Sequence, residues 1–247
     1  MRAFMKLSSV QTKLYLREPM SVFFTLAFGP IMLVMMGVIF GSLPRTELNG
    51  LSQMDLSVPG YIGMIVGITG LTAVPIGAAQ RRESGALRRF SATPLRPLTY
   101  FLSDILAPFL VTLLGALILA LMGLLIYKVQ FRGSWLSLFG AVCLSALAFF
   151  ALGYALAGLV RSARATIVLA NVLIIPLVTF SGAMVPLEVM PASVAKIANF
   201  LPLKHVVALM RGLWIGEAWG AHLLEVGVLV GILVVGTAVI ALTFKWE

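Results

Sequence analysis

The sequence predicts an all-α membrane protein. Six transmembrane helices follow an N-terminal interfacial amphipathic helix, with a short cytoplasmic helix between spans 2 and 3 and a re-entrant outer hairpin between spans 5 and 6. Three observations carry that prediction. Of the 247 residues, 60% are hydrophobic and 11% charged, against about a quarter charged in a soluble domain. Charge-free runs at about 21–41, 56–80, 105–127, 135–160, 165–187 and 226–244 are each close to the ~20 residues that cross a hydrocarbon core as a helix. The basic residues are also unequally divided: loops on one side hold 12 of the 18 lysines and arginines, and on the other side five acids nearly cancel the remaining six. Cytoplasmic loops retain lysine and arginine, so both termini are expected in the cytoplasm.

The elements follow in order. Lys6, Ser9, Lys13 and Arg17 recur at helical spacing opposite Phe4, Leu7, Val10 and Leu14, which is the pattern of a helix lying in the interface. Pro19 ends it and turns the chain toward its first crossing. That first run is of spanning length and follows a long polar lead, unlike a cleavable signal peptide. In the second run Gly60, Gly63, Gly67, Gly70 and Gly77 share one helical face and permit close approach of another helix, in this chain or in a second copy. Gly227 and Gly231 repeat the theme weakly in the last run. The single cysteine, Cys143, falls inside the fourth run and can form no intrachain disulfide. Past the fifth run, Pro186, Pro191 and Pro202 break the chain into short pieces. Leu203, Val207, Met210 and Trp214 then recur at helical spacing beside Lys204 and Arg211, as expected of short helices in or on the outer leaflet rather than a seventh span.

The chemistry that is missing narrows the function. No G-x-x-x-x-G-K-[ST] phosphate loop occurs, so this chain does not bind ATP by that route. Phe180-Ser181-Gly182 lacks the leading glycine of a protease turn, and His205 and His222 lie in the outer connection. Two separated histidines and one buried cysteine make no metal site. Nucleic-acid binding fits poorly, because the positive charge is scattered among short membrane-surface loops. None of the six runs holds an ionisable side chain of the kind that couples a transporter to an ion gradient. Asp104 and Glu225 sit at span ends, where a carboxylate beside water is the expectation. Any uphill transport would then draw its energy from outside the chain.

The segment Arg81–Pro97 is the largest cytoplasmic feature available to receive that energy, with five arginines and one acid between two spans. Glu83 to Ser91 can form two helical turns with Leu87 and Phe90 on one side, ended by Thr93-Pro94. A short amphipathic helix held there fits a groove on a partner.

At these residues the sequence resembles the permease subunits of type-2 ABC exporters. Arg82-Glu83-Ser84-Gly85-Ala86-Leu87, followed by Ala92-Thr93-Pro94-Leu95, is similar to that family's coupling loop, with Ala86 where many relatives have threonine. Val58-Pro59-Gly60, Ser181-Gly182, Pro186, Pro191 and Leu201-Pro202-Leu203 extend the resemblance over nearly the whole chain. It implies that residues 1–247 form one transmembrane domain, paired with an identical or related permease chain on two soluble ATP-binding subunits. It implies a multi-pass place in the plasma (inner) membrane of a prokaryote, among lipids and without nucleic acid. ATP and magnesium belong to the partner, and no cofactor or metal to this chain. Carried over by position, Glu83, Gly85, Leu87, Arg88, Arg89 and Phe90 would form the coupling helix. Spans 2 and 5 would line the path, with Thr69, Thr72, Asn171, Thr179 and Ser181 as candidates for touching cargo. The implied function is export of an amphipathic small molecule, drug or lipid-like compound, the chain itself being no enzyme. The alternatives are a self-contained channel or ion-coupled secondary carrier, and a membrane enzyme or scaffold.

Overall fold

The computed structural model describes residues 2–40, 52–85, 97–160, 162–184, 187 and 190–243, and every regular element among them is helical. The leader forms α1 (Arg2–Leu16), which stops before Pro19 because the proline holds Glu18 outside the helical region at φ −91 and ψ 88. Pro19 opens α2 (Pro19–Leu26), and α3 (Phe28–Phe40) begins one residue later. The unbroken helix expected over 21–41 is thus divided in two. Pro30 has no N–H for the Leu26 carbonyl, so the hydrogen-bond ladder is interrupted where α2 meets α3.

The second apolar run continues as one rod from Gln53 to Glu83: α4 (Gln53–Ile68), a π-helical turn at Thr69–Ala73, and α5 (Val74–Glu83). A capping box opens it, with Asp55 N donating to Ser52 Oγ at 3.1 Å and Ser52 N donating to Asp55 Oδ2 at 2.6 Å. Pro75 follows directly on the wider π turn, where its missing N–H and its ring fall on the change of register.

The chain continues through α6 (Pro97–Leu125), α7 (Trp135–Leu159) and α8 (Ala163–Phe180). Gly182, at φ +83, turns the backbone just past the end of α8, so that helix stops short of the expected 187. Two short helices, α9 (Ala192–Ala198) and α10 (Pro202–Trp214), precede a 3₁₀ turn at Trp219–His222 and the last helix, α11 (Leu223–Thr243). Among the described residues, five helical stretches are long and apolar enough to cross a membrane: Gln53–Glu83, Thr99–Leu125, Trp135–Leu159, Ala163–Phe180 and Trp219–Thr243. Phe28–Ile39 is apolar but shorter.

The rod sits at the centre of the bundle, and nearly every residue of α4 is buried. Its glycines answer which helix they admit. A Cβ on Gly63 or Gly67 would meet Val207 or Leu203 of α10, and one on Gly70 would meet Phe149 of α7. The partners belong to the same chain. α10 accordingly buries Leu203, Val207, Met210 and Trp214, the four positions that recur in the sequence, against its own bundle. α7 receives α11 along its opposite flank, where Gly236 packs on Ala151. Gly227 and Gly231 face open space and do not extend the glycine theme within the chain.

Candidate functional site

A cavity of about 680 Å³ lies between α2, α3, the π-helical turn and α8. Phe24, Phe28, Ile68, Ile76, Ile174 and Ile175 supply much of its apolar wall. Ser21, Thr25, Thr72, Asn171 and Thr179 are the polar residues on it, and none of its lining residues is charged. Thr72, Asn171 and Thr179 are three of the five path candidates read from the sequence, and the fold brings them to one space. Each donates to a carbonyl four residues back on its own helix: Thr72 to Ile68 at 2.6 Å, Asn171 to Ile167 at 2.8 Å and Thr179 to Ile175 at 2.8 Å. The two threonine hydroxyl donors and one of the two Asn171 amide N–H groups are thereby engaged, while the second Asn171 N–H and the oxygen lone pairs remain available. The wall suits a molecule with a large apolar body and few polar groups, because a buried charge would find no counter-charge among the lining residues.

The other two candidates do not line this space. Thr69 is fully buried and pairs with Thr25 through their hydroxyls at 3.1 Å, pinning the π turn to α2. Ser181 caps the end of α8, donating to Val178 O and accepting from Ala183 N. Ser21, Thr25, Phe24 and Phe28 were missed by the sequence reading. Their signal was the spacing of four between Ser21 and Thr25 in an otherwise apolar run, which puts both on one helical face.

At the far end of the rod a second polar cluster forms. Arg81 Nη2 donates to Asp104 Oδ2 at 2.7 Å, and the Tyr154 hydroxyl donates to the same oxygen. Asp104 is only 4% exposed, which corrects the expectation of a carboxylate beside water. Its partners come from two other helices, so its own neighbours in sequence do not reveal them. Arg82 donates to the carbonyls of Ala157 at 2.9 Å and Val160 at 2.5 Å, at the end of α7. Glu83 Oε1 accepts from Ala163 N at 2.6 Å, at the start of α8.

Glu83 is the last residue of α5 rather than the first of the helix expected over Glu83 to Ser91. Ser84 N bonds back to Gln80 O, and Gly85 follows at φ +70, a conformation that halts a helix and favours glycine. Leu87, Arg88, Arg89 and Phe90 lie outside the described residues.

The family model for the ABC-2 type transporter matches residues 2–214. The chain is 22% identical over 161 residues to the probable multidrug ABC transporter permease YbhR of Escherichia coli (strain K12), covering 65% of this chain and 44% of that protein. It is 34% identical over 98 residues to nodulation protein J of Rhizobium leguminosarum bv. viciae, covering 38% of each. Both matches therefore span less than half the length of the relative. With a family match running from α1 through α10, and five helices among the described residues of the length and apolarity needed to cross a bilayer, the chain belongs to the ABC-2 type transporter family, as a multi-pass membrane protein.

Proposed function

We propose that this chain is the permease subunit of an ATP-driven exporter, moving an amphipathic small molecule, drug or lipid-like compound outward with energy from a separate ATP-binding subunit. The observation that carries the reading is the uncharged cavity lined by Thr72, Asn171 and Thr179, in a chain of the ABC-2 type transporter family. Its wall provides apolar surface for the body of such a cargo and hydrogen-bond acceptors for its polar groups. The family match and the multidrug permease among the relatives support the export reading. The bacterial relatives support a place in the inner membrane.

In this reading α2 and α3 together make a first, bent span, and the five longer helices complete six within one membrane domain of residues 1–247. The termini and the 81–97 loop face the cytoplasm, and the segment from Ser181 through α10 is the re-entrant outer hairpin. Two permease chains, identical or related, pair on two ATP-binding subunits, which hold ATP and magnesium. Closure of those subunits displaces the loops carrying Leu87 and Phe90 and shifts the permease between its states.

The test is reconstitution of the chain in vesicles with and without the ATP-binding subunit, with a fluorescent amphipathic dye as probe. Dye movement that needs both ATP and the subunit is expected. Movement by the chain alone under an ion gradient would overturn the reading in favour of a secondary carrier. Leu87→Asp is expected to abolish copurification of the subunit while leaving the helical content unchanged, and retention of the subunit would count against the assigned docking residues.

A further inference from the structure

We propose that Glu83 acts within this chain, as a positioning residue that fastens the end of α5 to the first turn of α8, so that movement of the loop it opens reaches the wall of the cavity. The inference rests on the ATP-driven permease reading and deepens it. It separates Glu83 from the residues that touch the partner.

The first N–H groups of a helix have no partner inside it. At the start of α8 two acceptors meet them: Ser162 Oγ accepts from Ala165 N at 3.2 Å, and Glu83 Oε1 from Ala163 N at 2.6 Å. A carboxylate there also faces the positive end of the helix dipole. Arg82 does the complementary task one residue earlier, with its guanidinium on the Ala157 and Val160 carbonyls at the negative end of α7. One dipeptide therefore satisfies both sides of the α7–α8 turn, and exchanging its charges would set like against like. Arg81, one residue earlier again, holds α6 through Asp104.

This anchor bears on the cavity because of what α8 otherwise lacks. α8 buries one narrow stripe, Ala163, Thr166, Ala170, Ile174 and Leu177, and leaves most of its remaining surface open. The same helix carries Asn171 and Thr179 into the cavity, opposite Thr72 and Ile76 of the rod. A bond from Glu83, at the end of α5, to the base of α8 thus joins the rod to one wall of the cavity.

The experiment uses the full chain in complex with its ATP-binding subunit, in vesicles. An environment-sensitive fluorophore is placed at Val172→Cys, an α8 position 61% exposed, in a Cys143→Ala background. In the unaltered complex, ATP changes the emission. Glu83→Ala is expected to leave the copurified subunit undiminished and to reduce the ATP-driven change roughly tenfold, the scale of one hydrogen bond to a charged group. Glu83→Gln, which keeps an acceptor oxygen at the same reach, should retain most of it.

Ala163→Pro removes the donor instead. Proline is tolerated in the first turn of a helix, and Ser162, at φ −126 and ψ 148, is already extended as the residue before proline must be. It should reproduce Glu83→Ala, and the double variant should be no worse than either single one. Loss of the subunit with Glu83→Ala would make Glu83 a partner contact and overturn the proposal, as would an Ala163→Pro complex that responds to ATP like the unaltered one. Absence of an ATP response in the unaltered complex would instead defeat the ATP-driven reading on which the proposal stands.

Discussion

The two ends of the Gln53–Glu83 rod are held by different physics. At the Gln53 end the rod is fixed largely by shape. Glycines let α10 lie close against it, Asp55 closes the cap and accepts from Gln130 N at 2.8 Å, and Arg211 donates to the carbonyls of Leu56 at 3.2 Å and Gly182 at 2.6 Å. At the Glu83 end, three consecutive long side chains reach three different helices. Close packing loses about a quarter to a half of its attraction over a gap of about 0.5–1 Å. Long side chains can follow a displacement while keeping a hydrogen bond. Both ends carry hydrogen bonds, but at the Gln53 end they accompany a close helix contact, whereas at the Glu83 end they are spread over three helices.

Substitutions can break this contrast in order of size. The largest loss is expected from Asp104→Ala, which leaves the Arg81 charge without its carboxylate. Removing one partner of a buried pair typically costs about 3–5 kcal/mol, and the 23% exposure of the Arg81 side chain places this case near the lower figure. Denaturant unfolding in detergent would read it, with Asp104→Asn intermediate because an acceptor for Tyr154 remains. Gly153→Ala comes next, near about 2–3 kcal/mol by the same assay. Its new Cβ would lie 2.0 Å from Gly70 O, and two backbones cannot part without moving α7 off the rod.

A milder change sharpens the same comparison. Gly67→Ala brings a methyl to 2.7 Å from Leu203 Cδ1, the far end of a flexible side chain, and should cost only about 1 kcal/mol. A loss as large as that of Gly153→Ala would mean that α10 cannot yield at all. The smallest effect on stability is expected from Thr179→Val, within about 0.5 kcal/mol, since the hydroxyl bonds only its own helix at the cavity wall. That variant should change dye transport while leaving the unfolding midpoint in place.

Much of the architecture was legible in the sequence. Apolar runs and terminal signals located the helices, and the proline after the leader marked its end. The four apolar positions from Leu203 to Trp214 gave the buried face of α10, because helical periodicity is a local property. The break between α2 and α3 was missed although Pro30 was visible, since its weight against a long apolar run depends on what packs beside it. Thr72, Asn171 and Thr179 could be selected as polar residues in apolar runs. That they share a cavity with Phe24 and Phe28, while Thr69 and Ser181 do not, depends on how α2, the rod and α8 are set around one another.

The sequence by itself determined that this chain is built of apolar helices, roughly where they lie, and which loop gathers the positive charge, although α6 begins at Pro97 rather than 105 and α8 ends at Phe180 rather than 187. Each of those properties follows from neighbours along the chain. Only the tertiary structure decided that the glycine face receives α10 of the same chain, that Asp104 is buried against Arg81 and Tyr154, and that Glu83 holds the start of α8. Glu83 and Ala163 are 80 residues apart, and Arg81 and Asp104 are 23. Their pairing is set by the packing that brings helix ends together, and no local pattern of residues encodes that distance.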